Sequence, residues 1–172
     1  TLLFDHYAEQ HLRSAGAFPA TRLAVTGSPR LDDLVARIAR LTDADRQATR
    51  EAVGVVEAGQ HLVVLTAKFT EVQEMLPALI DAVRARPGIC LAIKAHPAEN
   101  ADVYTPYIDG LANVALAPAD ADLARLLAAA DALVTRNSTV AVDGLVLGLP
   151  ALVIGLPNNL SPFVDAGVML GA

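Results

Sequence analysis

Short apolar runs rich in branched residues alternate along this chain with stretches in which apolar positions recur every three or four residues. The runs fall at 23–26, 61–66, 89–94, 113–117, 132–135 and 151–154 and predict β-strands. Between the second and third runs, Val72, Met75, Leu76, Leu79, Ile80 and Val83 mark one face of a helix. Pro77 lies inside that pattern and predicts that the regular helix starts near it, since proline is tolerated in a first turn. Another helix is predicted from a cap at Thr42, through Asp45 and Arg46, to a stop at Gly54. A third covers 120–129, and a fourth opens at Asn137 or Ser138 and ends before Gly148 and Pro150. Strand, helix and strand at this spacing predict βαβ units, hence an α/β, Rossmann-like parallel sheet with helices on both faces. Five strands are expected, with 61–66 central and 113–117 at an edge.

The first thirty residues fit this scheme poorly. The segment 7–14 reads as a helix and 23–26 as a strand, yet neither has enough neighbours to make a domain. Residues 1–30 are therefore expected to be the tail of an amino-terminal domain, 31–59 a charged helical connector, and 60–172 most of a second domain, cut short at its end.

Composition narrows the classes. With 172 residues, 53 % of them hydrophobic, the chain can bury a sizeable core. No apolar run approaches the roughly 18 to 20 residues of a membrane span, which leaves room only for peripheral membrane association. The net charge is -6 and the 13 Lys and Arg residues are scattered, so no basic stripe exists for a nucleic acid. Cys90 is the single cysteine, within Ile89-Cys90-Leu91-Ala92-Ile93, a run that reads as a strand buried on both faces; a structural thiol and a reducing cytoplasm are expected.

In open parallel sheets, ligands bind beyond the carboxyl ends of the strands where the strand order reverses. That crevice is expected between the strands ending at Thr66 and Thr135, bordered by Ala67-Lys68-Phe69-Thr70 and Arg136-Asn137-Ser138-Thr139. The second loop places a hydroxyl pair at a helix start, where free N–H groups suit phosphate; helix capping by Asn137 or Ser138 is the plainer use of the same residues. His96, in Lys94-Ala95-His96-Pro97, can donate to phosphate or ribose, with Pro97 fixing the turn; an exposed or structural histidine is the alternative. Lys94 reads as the solvated end of a strand or as part of the site. The runs Asp43-Ala44-Asp45 and Asp120-Ala121-Asp122 precede helical stretches, where acids favour the dipole, and no metal is expected there. No Gly-x-Gly-x-x-Gly fingerprint, Walker lysine motif or nucleophile elbow occurs.

Taken in order, Val25-Thr26-Gly27-Ser28-Pro29-Arg30-Leu31-Asp32, Lys94-Ala95-His96-Pro97, the stretch from Ala130 through Thr135-Arg136-Asn137-Ser138-Thr139 to Asp143-Gly144, and Leu147-Gly148-Leu149-Pro150 resemble the carboxy-terminal half of GT-B enzymes. The nearest resemblance is to capsule and teichoic-acid transferases of the CDP-glycerol glycerophosphotransferase type and to non-hydrolysing UDP-N-acetylglucosamine 2-epimerases. The resemblance implies that 60–172 bind a nucleotide-activated donor, of CDP, CMP or UDP type, with no separate cofactor. It implies phosphate contacts from His96, Ser138 and Thr139, in the crevice whose loops already place Lys68, Phe69 and Asn137 at its border. It places the base near Ala117 and Pro118, and ribose at Asp143, where relatives more often carry the longer Glu. His96 would also serve catalysis, stabilising the departing nucleotide together with the loop hydroxyls. The acceptor site would belong to an amino-terminal domain, so this chain alone is expected to bind rather than turn over. Three readings follow: a glycosyl- or glycerophosphotransferase of cell-surface polysaccharide synthesis, an epimerase of the same fold, or a noncatalytic nucleotide-binding or scaffolding domain.

Overall fold

The computed structural model describes residues 1–16, 18–55 and 59–172. The described residues form two compact units, Thr1–Arg37 and Ile38–Ala172. The end of the connector expected at 31–59 falls on 56–58, outside the described residues.

In the first unit, β1 (Leu2–Leu3) pairs in parallel with β2 (Ala24–Val25), and α1 (His6–Ala15) runs between them. Asp5 starts α1 by accepting the Ala8 N–H at 2.7 Å, one of the amides left over at any helix start. After Gly27, held at a φ of 75° that favours glycine, Ser28 accepts the Leu31 N–H and α2 (Pro29–Ile38) begins.

The second unit is built on β3 (His61–Ala67), β4 (Ile89–Ala95), β5 (Val114–Leu116), β6 (Ala132–Thr135), β7 (Ala151–Val153) and β8 (Leu170–Gly171). All pair in parallel, in the order β5-β4-β3-β6-β7-β8. Among the described residues the sheet thus has six strands instead of five; β3 is interior and β5 lies at an edge, as expected. The extra strand, β8, is two residues long and gains its identity from pairing with β7, a signal too short for hydrophobic periodicity.

Among the described residues, seven α-helices belong to this unit: α3 (Asp43–Ala52), α4 (Phe69–Val72), α5 (Leu76–Arg84), α6 (Thr105–Ile108), α7 (Leu123–Ala129), α8 (Val140–Val146) and α9 (Ser161–Asp165). Thr42 and Asp45 close a reciprocal capping box at the start of α3, which holds the Asp45 carboxyl below its ordinary range. Pro77 stands in the first turn of α5, and the preceding residues form the separate short helix α4. α7 begins three residues later than expected, because Asp122 is spent as its cap on the Ala124 and Arg125 amides.

The two faces of the sheet carry separate cores, following the alternation of side chains along each strand. On one face Leu62, Val64, Cys90, Ala92 and Leu133 pack with α7, α8 and Val53. On the other, Leu65, Leu91, Ile93 and Val134 pack with α5 and Tyr104. Gly144 lets α8 lie close to β6: a Cβ there would stand 3.1 Å from Leu133 Cδ2. Cys90 is 1 % exposed and burial pushes its thiol pKa up, so it behaves as a small apolar group.

Tyr104 is fully buried and donates its hydroxyl to the Ala67 carbonyl at 3.2 Å. Burial, and then the Glu99 and Glu71 carboxylates, push its pKa from 10.0 up to about 12. Since the folded value is the higher one, the neutral phenol contributes stability that is complete below pH 10.0 and disappears as pH rises through about 12. Denaturation midpoints measured from pH 9 upward should fall across that window, and Tyr104→Phe should flatten the fall. An equally steep fall in Tyr104→Phe would assign the loss to other groups.

Candidate functional site

The strand order reverses between β3 and β6, and a cleft of roughly 510 Å³ opens beyond their carboxyl ends. The chain turns away from the sheet here in several loops at once, so polar groups far apart in sequence meet. Lys68 follows β3, Lys94 ends β4, His96 follows it, and Asn137, Ser138 and Thr139 follow β6; all border this one cleft, with Thr66 and Glu71.

The loop after β6 is held down by Thr135, which is fully buried at the strand end. Its hydroxyl donates to the Thr66 carbonyl at 2.6 Å and accepts the Ser138 N–H at 3.4 Å. Ser138 in turn accepts the Val140 N–H at 3.3 Å, while Ala141 and Val142 bond back three residues to the Ser138 and Thr139 carbonyls. A tight turn therefore precedes α8, and the helix starts at Val140 instead of Asn137 or Ser138. The N–H groups of Asn137 and Thr139 have no hydrogen-bond partner among the described residues. Two free amides and two hydroxyls in one turn are suited to an anion.

His96 is exposed at the rim, and its Nδ1 accepts the Ala98 N–H at 3.1 Å. An amide can only donate, so the neutral ring carries its proton on Nε2, which is left as a donor. Lys94 donates to the Pro118 and Ala119 carbonyls at 3.0 and 2.7 Å, tying the loop after β5 to the end of β4. Its role is neither a plainly solvated strand end nor a free cation. That tether connects groups 24 and 25 residues apart, and only strand pairing shows it.

Three of the expected site residues lie off the cleft wall. The Phe69 N–H is taken by both oxygens of Glu99, at 3.1 and 2.9 Å, and its ring packs edge-on against Tyr104 with centroids 5.3 Å apart. Pro118 borders a neighbouring cavity formed with α3 and α7, while its carbonyl faces Lys94. Asp143 sits partly buried in the first turn of α8. Sequence reasoning placed the crevice at the strand end Thr66 without giving its side chain a role, and missed Glu71 as a cleft residue. Thr66 reads as the end of an apolar strand, and the Glu71 carboxylate accepts the Lys68 N–H at 3.4 Å three residues away, a helix-start pattern that was legible. Among the described residues, no group of three or more His, Cys, Asp and Glu side chains is placed to hold a metal ion. Among them also, no helix is long and apolar enough to cross a membrane.

No family model matches the sequence, and no curated protein does. Solved structures do match in fold. A variant of the wall teichoic acid polymerase TagF, soaked with CDPG, overlays 89 % of this chain at 18 % identity with a TM-score of 0.61. A UDP-GlcNAc 2-epimerase from Neisseria meningitidis, bound to UDP-GlcNAc, overlays 95 % at 18 % identity with a TM-score of 0.72. A further UDP-N-acetylglucosamine 2-epimerase overlays 99 % at 19 % identity with a TM-score of 0.73. This chain spans only 37 to 46 % of those chains. The likeness shows the fold: a Rossmann-like parallel sheet of the kind found in the carboxy-terminal half of a GT-B enzyme.

Proposed function

We propose that this chain is the donor-binding half of a glycosyl- or glycerophosphotransferase acting in cell-surface polysaccharide synthesis. The observation that carries this reading is the single cleft at the reversal of strand order, which gathers Lys68, His96, Asn137, Ser138 and Thr139. Its free amides and hydroxyls, with the Lys68 ammonium and the Nε2–H of His96, supply donors, a chemistry matched to a nucleotide diphosphate. Ser138, Thr139 and the Nε2–H of His96 would hold the phosphate. As the bond from donor phosphate to the transferred group breaks, charge grows on the departing nucleotide, and fixed donors aimed there favour the transition state over the bound donor. The acceptor and the group that takes its proton would come from an amino-terminal domain.

The epimerase reading is favoured by one observation, the higher TM-scores of the epimerases, 0.72 and 0.73 against 0.61 for TagF. A thermal-shift panel of CMP, CDP, UMP, UDP and GDP separates the readings. A ligand that binds only the folded state, at about 100 times its dissociation constant, stabilises by roughly 2.7 kcal/mol. A response to CDP or CMP alone supports the polymer transferases, and a response to UDP alone the epimerase. Silence across the panel sinks both and leaves a scaffolding domain.

A further inference from the structure

The cleft contains two polar atoms that the chain itself leaves unsatisfied. Thr66 is 5 % exposed and its hydroxyl has no hydrogen-bond partner; the buried side-chain oxygen of Asn137 has none either. Both residues border the same cleft. Buried polar atoms are nearly always paired, because an unpaired one destabilises the fold. Finding two in one place is thus informative. Thr66 lies two and four residues beyond Val64 and Leu62, so its side chain shares their face of the sheet, the face covered by α7 and α8. Thr135, its neighbour in register on β6, already uses its hydroxyl both ways and cannot help.

The chemistry of the pair differs from that of the groups suited to phosphate. Ser138, Thr139, Lys68 and the Nε2–H of His96 all donate, as an anion requires. A side-chain carbonyl oxygen only accepts, and it repels phosphate. It calls for an O–H or N–H on the ligand. A hydroxyl group can answer both atoms at once, donating to Asn137 Oδ1 while accepting from the Thr66 hydroxyl.

We infer that Thr66 and Asn137 form a hydroxyl-reading subsite for the transferred part of the donor, a sugar or polyol whose free hydroxyl lies beside the phosphoester. This rests on the donor-site reading above and narrows it. The Asn137 backbone N–H stays available to phosphate, so side chain and backbone of one residue would serve adjacent parts of one ligand. The expected class is a nucleoside diphosphate carrying a hydroxylated group, as opposed to a bare nucleotide.

The test is calorimetric titration with two pairs of probes, CDP against CDP-glycerol and UDP against UDP-GlcNAc, on the unaltered chain, Thr66→Val, Asn137→Ala and Ser138→Ala. Thr66→Val should weaken the complete donor about three- to tenfold and leave the bare diphosphate unchanged, and Asn137→Ala should weaken the complete donor by a similar factor more than it weakens the bare diphosphate. Ser138→Ala should weaken both members of a pair alike. Thr66→Val should also raise Tm by about 2 to 4 °C, since an unpaired hydroxyl leaves the interior. A merely structural threonine would lower Tm on substitution. If Thr66→Val and Asn137→Ala leave the ratio of donor to diphosphate affinity unchanged, the subsite is refuted, while a loss in Ser138→Ala keeps the donor site. If the unaltered chain binds none of the four probes, the donor site fails and the subsite with it.

Discussion

Replacing His96 or Ser138 by alanine is expected to weaken nucleotide binding about ten- to hundredfold in each case, while the domain stays folded. Each change removes a hydrogen bond to a charged phosphate, worth roughly 1.5 to 3 kcal/mol, which sets that range. The structural costs differ. His96 is exposed and only its Nδ1 is engaged, with the Ala98 N–H two residues on, so its loss touches a local turn. Ser138 accepts the Val140 N–H ahead of α8, and its loss should cost about 1 kcal/mol of stability, as for other caps. If both side chains meet the same phosphate, the double variant should lose less than the sum of the single losses, as groups acting on one ligand atom cluster do. Isothermal titration with the best ligand of the nucleotide panel measures all three. Unchanged affinity in both single variants would remove the donor site from this cleft. A His96→Ala protein that no longer folds would instead make His96 a structural residue.

The largest expected loss of stability is at Asp131, just ahead of β6. Its Oδ2 accepts the Leu62 N–H at 2.7 Å and the Arg50 guanidinium at 3.0 Å. Leu62 is fully buried, so its amide has no water to fall back on once the carboxylate is gone. The Arg50 pair is only partly shielded, with side-chain exposures of 18 and 41 %, and solvent screening reduces its share. Arg50 also donates to the Ala129 carbonyl at 2.7 Å, and both Arg46 and Arg50 reach the last carbonyls of α7, where a cation suits the dipole. Asp131→Ala should therefore cost about 2 to 3 kcal/mol, mostly from the orphaned amide, and lower Tm by about 5 to 10 °C. Asp131→Asn keeps an acceptor for Leu62 and should lose about a third as much. Equal losses in the two variants, read from urea denaturation, would mean that the charge pair matters and the amide does not.

These two predictions rest on contacts of different legibility. Ser138 and His96 stand in short motifs at strand ends, visible from residue order. Asp131 sits near the start of a motif too, yet its partners Leu62 and Arg50 lie 69 and 81 positions away, and no local pattern announces them. The same holds for Lys94, whose two carbonyl partners come from the loop after the neighbouring strand.

What the sequence by itself determined is the alternation of strands and helices, the parallel sheet, the interior place of β3 and the crevice where the strand order reverses. These follow from local forces: side-chain periodicity, capping and the helix-length connections between strands that parallel pairing requires. Tertiary structure alone decided the late start of α8, because a buried Thr135 hydroxyl pulls the Ser138 amide into a tight turn. It decided β8, since two residues become a strand only when β7 offers a ladder. It also turned Phe69 away from the cleft, brought Glu71 into it and left the Thr66 hydroxyl there without a partner, because strand register and the packing of distant side chains, both summed over contacts far apart in the chain, fix which groups share a space.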